Sequence, residues 1–224
     1  MINGKHLTPL HPNWDNDSDH SFFSAETPLR PDAFDLSDKD KIDKIRFHVE
    51  QILNTLGMDL EDDSLKGTPL RVAKMYVEEV FSGLNPLNKP AISLFDNNYA
   101  YREPLVERNI TFYTHCEHHL VPFFGRAHVA YVPSGKVIGL SKLNRLVNYF
   151  ARRPQVQERL TMQIGQELQK VLNTPDVAIM IEAKHLCVAS RGIQDDASQT
   201  ITTFMEGVFA EQHMRSEFMR SIKG

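Results

Sequence analysis

The sharpest chemical feature of the sequence is Thr114-His115-Cys116-Glu117-His118-His119, which gathers one of the two cysteines and three of the ten histidines of the chain. Cys116-x-x-His119 sets a thiolate and an imidazole at a spacing that metal sites use. The other cysteine stands in His185-Leu186-Cys187. Sulfur and imidazole donors favour zinc, which takes four ligands. Cys116, His119 and Cys187 supply three, leaving one position for water, the pattern of a catalytic centre. His118 and His185 then lie beside the metal. Spacing alone leaves alternatives open: either histidine could close a purely structural site, and the cysteines could be buried apolar side chains or bridge as a disulfide. Two other zinc-enzyme patterns, His-Glu-x-x-His and Pro-Cys-x-x-Cys, do not occur.

A second group of residues has the chemistry of anion binding. Ser141 is read as a helix N-cap, with Lys142 beside it and Arg145 one turn on, an arrangement that suits phosphate. Arg191-Gly192 offers a guanidinium on a turn. Pro133-Ser134-Gly135-Lys136 resembles the end of a phosphate-binding loop, but Val137 follows the lysine and Ala130 stands where the first glycine belongs. From His118 through Gln157 the chain has no acid, while Arg126, Lys136, Lys142, Arg145, Arg152 and Arg153 fall within it. Glu158 is the first carboxylate after this run. The run is either a solvated basic face or a pocket for an anionic small molecule.

The elements that must position these residues follow from periodicity. Apolar spacings of three and four predict a helix over Leu36 to Leu56, with Gly57 as its stop. Thr68 and Pro69 read as N-cap and first residue of a second helix running to Gly83. Asn85 to Pro104 reads as a connector. Strands are predicted over Leu105 to Thr114 and Arg126 to Val132, with Ser134-Gly135 as a hairpin turn. Ser141 begins one helix and Pro154 another. Val177 to Glu182 and Gln199 to Phe209 read as strands, with His185 to Ala189 extending or following the first, and Glu211 to Ile222 as a closing helix. Strands arrive in pairs, so the fold class is α+β with an antiparallel sheet.

Composition removes several classes. The formal net charge is −4, and 24% of residues are charged against 41% apolar, as in soluble globular proteins. Residues 1–63 hold 14 acids and 6 bases, whereas residues 64–224 hold 15 acids and 19 bases. The balance speaks against general nucleic-acid binding. No apolar run is long enough to span a membrane, and Met1 to His20 lacks the apolar core of a secretory signal. Two cysteines make no disulfide framework, so a reducing, cytoplasmic setting is expected.

At the residues quoted above the sequence resembles GTP cyclohydrolase I. The resemblance rests on Thr68-Pro69-Leu70-Arg71-Val72-Ala73-Lys74-Met75-Tyr76, Cys116-Glu117-His118-His119, and Val137-Ile138-Gly139-Leu140-Ser141-Lys142-Leu143-Asn144-Arg145. Arg153-Pro154-Gln155-Val156-Gln157-Glu158-Arg159-Leu160 and His185-x-Cys187 with Arg191-Gly192 complete it. It covers the chain from about Glu26 onward and implies the tunnelling fold: an antiparallel sheet in ββααββ order with an N-terminal helical pair, joined between subunits into a ring. Residues 1–25, rich in His, Pro, Asn, Asp and Ser and without periodicity, read as a mobile tail outside the resemblance; within it fall a helical region and connector (26–104) and a catalytic domain (105–224). The resemblance implies formation of 7,8-dihydroneopterin triphosphate and formate from GTP. Cys116, His119 and Cys187 are then the ligands of Zn2+, and His118 is the acid/base group beside it. His185 and Ser141 are further proton-transfer groups. Glu158 with Gln157 reads the guanine edge, and Ser141, Lys142, Arg145, Arg191 and Arg71 contact ribose and triphosphate. The implied assembly is a homodecamer of two stacked pentamers with sites at subunit boundaries. Rival readings are a non-catalytic, zinc-containing regulatory homologue and another pterin or purine enzyme of the same fold.

Overall fold

The computed structural model describes residues 24–223, so all but Ser24 and Ala25 of the expected N-terminal tail lies outside the described residues. Helix α1 spans Asp38–Thr55; the Ser37 hydroxyl caps it by accepting from the Asp40 amide at 3.2 Å. Gly57 stops it with a left-handed φ of +80°, a conformation glycine adopts without penalty. Helix α2 spans Thr68–Lys74 and continues as a wider, π-helical turn over Met75–Val80. Its N-cap is Gly67, and Thr68 is already helical. The expected single helix to Gly83 is therefore broken by a change of winding.

Eight further elements build the sheet region: β1 (Leu94–Asp96), β2 (Leu105–Cys116), β3 (Pro122–Tyr131), β4 (Lys136–Ile138), α3 (Leu140–Ala151), β5 (Pro154–Gln155), α4 (Gln157–Leu172) and β6 (Val177–His185). A short helix α5 (Leu186–Ala189), strand β7 (Thr200–Met205) and α6 (Gln212–Ile222) complete the chain. The main sheet has the order β5-β2-β3-β6-β7, antiparallel except where β5 runs parallel to β2. The α+β class and the antiparallel pairing are as expected from the sequence.

One face of the sheet is apolar. Phe112, Phe123, Ala127, Val129, Tyr131, Ile179 and Ile181 alternate inward and meet Leu143, Leu146 and Val147 of α3 and Leu160, Ile164 and Leu168 of α4. The three α4 residues are fully buried, which stabilises the fold by about 1.5–3 kcal/mol each. Gly165 lets α4 approach closely, because a Cβ there would collide with the buried Phe204 ring of β7. The other face is covered at one end by Phe209 and by Phe218 and Ile222 of α6.

Several boundaries depart from the sequence reading. The Ser134-Gly135 turn does not join a hairpin. Both edges of β3 are already occupied, by β2 and β6, so β4 pairs instead with β1. Gly139 is the N-cap of α3, with Ser141 inside its first turn. Pro154 begins not a helix but the two-residue strand β5, and α4 starts at Gln157. The last strand ends at Met205, after which Gly207–Ala210 forms a 3-10 turn. Among the described residues no helix is long and apolar enough to cross a membrane.

Candidate metal and substrate site

Cys116 is the last residue of β2, and the turn to β3 folds back on it. The Leu120 amide donates to Cys116 O at 2.8 Å, and the Cys116 amide donates to Val121 O at 2.9 Å. This turn holds Glu117, His118 and His119 above the end of the sheet. Cys187 reaches the same end through β6, whose His185 lies opposite Phe123 in the β3 ladder. One donor atom from each of Cys116, His119 and Cys187 lies within 4.8 Å of the other two. Two thiols and one imidazole at that separation are a donor set that fits zinc. The Cys187 thiol is pushed up to about 11, first by burial and then by the neighbouring Cys116 sulfur. A dication relieves both penalties by taking the thiolate.

The surrounding groups are tightly arranged. His118 Nδ1 lies 3.6 Å from Cys116 Sγ, and His119 Nδ1 lies 3.8 Å from it. The Arg191 guanidinium donates to His119 Nε2 at 2.8 Å. An imidazole that ligates through Nδ1 carries its proton on Nε2, and one that ligates through Nε2 has no lone pair left. By either route a metal held by His119 would take the place of the Arg191–His119 bond.

His185 is held on two sides. Its ring stacks on Phe123, with centroids 4.4 Å apart and planes at 10°. Its Nε2 lies 2.8 Å from Gln157 Oε1. The amide nitrogen of Gln157 donates to Ile181 O at 3.2 Å, Thr200 O at 2.9 Å and Thr202 Oγ1 at 3.1 Å. Carbonyl oxygens only accept, so the orientation of the amide is settled: its oxygen faces His185, and the imidazole must donate from Nε2. Burial lowers the pKa of His185, with Glu158 opposing, so the neutral ring presents Nδ1 as its acceptor.

These groups line one cavity of about 410 Å³, which brings together Cys116, His118, His119, Gln157, Glu158, His185, Cys187 and Arg191. The other sequence-predicted residues stand elsewhere. Arg145 lines a separate cavity with Asn144, Asn148 and Arg152. Ser141 and Lys142, on the first turn of α3, line neither. Arg71 bonds locally, donating to Ser64 O at 3.2 Å and Thr68 Oγ1 at 2.8 Å. Arg153, part of the acid-free run, is a structural tie: it donates to Gly83 O at 2.8 Å and lies over the Tyr149 and Phe150 rings. The sequence reading did not single out the Arg159–Glu117 ion pair or the stacking role of Phe123. No local spacing signals either, because each joins separate elements.

Fold and site define a class: an α+β protein whose sheet ends in a thiol–imidazole cluster of metal-binding chemistry, opening on a cavity with charged and imidazole groups. Comparison with known proteins is specific within that class. The family model for GTP cyclohydrolase I matches residues 45–223. The chain is 63% identical over 204 residues to GTP cyclohydrolase 1 of Flavobacterium johnsoniae, covering 91% of this chain and 92% of that protein. It is 52% identical over 200 residues to the enzyme of the same name from Aeromonas salmonicida, covering 89% and 91% of the two chains. To that of Vibrio cholerae it is 49% identical over 199 residues, covering 88% and 91%. The chain belongs to the GTP cyclohydrolase I family of enzymes.

Proposed function

We propose that this chain opens the imidazole ring of the guanine of GTP by hydrolysis, releases carbon 8 as formate, and rearranges the ribose to give 7,8-dihydroneopterin triphosphate. The observation that carries the reading is the convergence of Cys116, His119 and Cys187 in one cavity with His118, His185, Glu158 and Arg191, in a chain of this family. Cys116, His119 and Cys187 would hold Zn2+, whose Lewis acidity would lower the pKa of water to about 7 and so supply a nucleophile at neutral pH.

The chain's own residues do the rest. His118 donates a proton to nitrogen 7, which makes carbon 8 more electrophilic. His185, with its Nε2 proton committed to Gln157, takes and returns protons at Nδ1 during the sugar rearrangement. Gln157 is thereby a positioning group for His185, and Glu158 alone reads the guanine edge. Its carboxylate accepts from the ring N–H and the amino group side by side, a pairing adenine does not offer. Arg191 meets the phosphates once released from His119.

Ser141, Lys142, Arg145 and Arg71 are absent from this cavity within one chain, which favours a site completed by a second copy. Assembly as a homodecamer fits that requirement. It would also cover the exposed apolar side chains Phe47 and Ile52 of α1 and Leu56 at its C-cap, and the edge strand β7. The division into a helical region (26–104) and a catalytic domain (105–224), and a cytoplasmic setting, belong to the same reading. The experiment is incubation of the zinc-loaded protein with GTP, assaying formate and a fluorescent pterin after oxidation. Stoichiometric formate that disappears on chelation is expected; zinc-loaded oligomer that leaves GTP intact overturns the reading.

A further inference from the structure

The first turn of α4 carries Gln157, Glu158 and Arg159 in succession, and the structure gives the third a partner of its own. Arg159 is 4% exposed, yet it is fully charged and needs acceptors. Its guanidinium forks onto Glu117, with Nη1 2.5 Å from Oε2 and Nη2 3.2 Å from Oε1, and its Nε donates to Ser24 O at 2.8 Å. Every nitrogen of the head group is used. Glu117 is itself fixed at the backbone, where its amide donates to Gln155 O at 3.0 Å. Its Oε1 lies 4.0 Å from His118 Nε2, while His118 Nδ1 lies 3.6 Å from Cys116 Sγ. The His118 ring is thus bracketed between a candidate metal-ligand sulfur on one nitrogen and the clamped carboxylate on the other.

We propose that Arg159 and Glu117 are positioning residues that set the orientation of the His118 imidazole beside the metal site. A buried ion pair adds little net stability over apolar side chains of the same volume, so stability alone is a weak reason for this one. Its placement supplies a stronger reason. The His118 side chain is 30% exposed, and an imidazole at a surface keeps ring rotation that must be removed for proton transfer. The bidentate fork fixes the carboxylate plane, and its negative charge, 4.0 Å from His118 Nε2, favours the ring orientation that brings that nitrogen toward it. Three consecutive residues of one helix then serve three parts of the site: Gln157 holds His185, Glu158 faces the substrate, and Arg159 acts through Glu117 on His118.

The inference rests on the proposed ring-opening reaction, so its test includes a readout independent of turnover. Three variants are compared with the wild-type, metal-loaded protein: Glu117→Gln, Arg159→Met and the two combined. The measurements are bound metal, denaturation midpoint, the histidine ring 1H–15N spectrum, and kcat and KM for GTP. The single variants are expected to retain metal and to alter the His118 ring signals while those of His185 stay in place. Their kcat should fall about 10–100-fold, as when groups that orient a metal site are lost, with KM within about twofold. The double variant leaves no unpaired buried charge, so it should recover the midpoint but not kcat. Recovery of kcat together with the midpoint would show that the pair only holds the fold and overturn the proposal. Unchanged His118 ring signals in Glu117→Gln, or a rise in KM with kcat intact, would overturn it as well. If the wild type makes no formate, the reaction reading fails, and the ring spectrum still decides whether the pair orients His118.

Discussion

Replacing Gln157 by methionine keeps the volume and length of the side chain but removes every hydrogen bond it makes. The residue is 2% exposed, so water cannot replace the lost amide. Thr202 Oγ1 keeps a partner, because it lies 2.7 Å from Thr161 Oγ1. Ile181 O, Thr200 O and the His185 Nε2–H each lose the amide. An unmade hydrogen bond on a buried group costs about 1–3 kcal/mol. The half-buried His185 and the exposed Thr200 belong at the low end of that range and only Ile181 is fully buried, which gives a total loss of about 3–5 kcal/mol. Urea unfolding at one fixed subunit concentration measures it as a shift in midpoint at constant slope. The same substitution unties His185, so its ring signals should lose the single tautomer with the proton on Nε2. A loss below about 1 kcal/mol with the Nε2–H signal unchanged would refute both the energy and the assigned orientation of the amide.

Three further outcomes follow from the same geometry. Zinc must displace the proton of Cys187, whose thiol is pushed up to about 11. Affinity should therefore rise by about one log unit or more per pH unit between pH 6 and 8, as measured by chelator competition, and Cys187→Ser should lose both metal and turnover. Glu158→Gln should lose its preference for GTP over ATP, with the drop appearing in kcat/KM for GTP; an unchanged ratio would remove Glu158 as the base reader. Burial lowers the pKa of His128, and Arg108 adds to that shift while Glu182 opposes it. A histidine lowered in the folded state costs nothing above its ordinary pKa. It destabilises as pH falls from there toward the folded value, where the unfolded chain binds the extra proton. Thermal midpoints of the wild type should accordingly drop between pH 7 and 5, and His128→Gln should flatten that drop.

The core was legible in the sequence because its period is local. The apolar spacings of α3 and α4 and the alternation in β3 mark each buried face without knowledge of the partner, whereas the apolar residues that mark α1 as a helix leave Ile52 and Leu56 exposed. Failures cluster where a non-local tie decides. β5 is two residues long and exists because Pro154 and Gln155 bridge His115 and Cys116 of β2. A proline before an amphipathic run looks like a helix start until that strand is present. The hairpin expected at Ser134-Gly135 fails for the same reason, since the turn chemistry is local but the free edge it needs is not.

The site divides along the same line. Cysteine is rare in this chain, so Cys116, His119 and Cys187 stand out by residue type as candidate ligands, and the fold brings the three together. Gln157 and Arg159 do not stand out, because their partners His185 and Glu117 lie 28 and 42 residues away in sequence. Ordinary polar residues carry no mark of which group they will hold. The fold makes those pairings by starting α4 directly after β5. That strand locks the helix end against the Cys116 end of β2, so successive side chains are turned about 100° from one another: Gln157 and Glu158 enter the cavity, and Arg159 reaches Glu117 beside it. Positions 157, 158 and 159 are then coupled through a single backbone placement. Loss of the parallel bridge between β5 and β2 would displace Gln157 with its bond to His185, the Glu158 carboxylate and the Arg159–Glu117 pair together, although it touches none of the three candidate metal ligands' side chains.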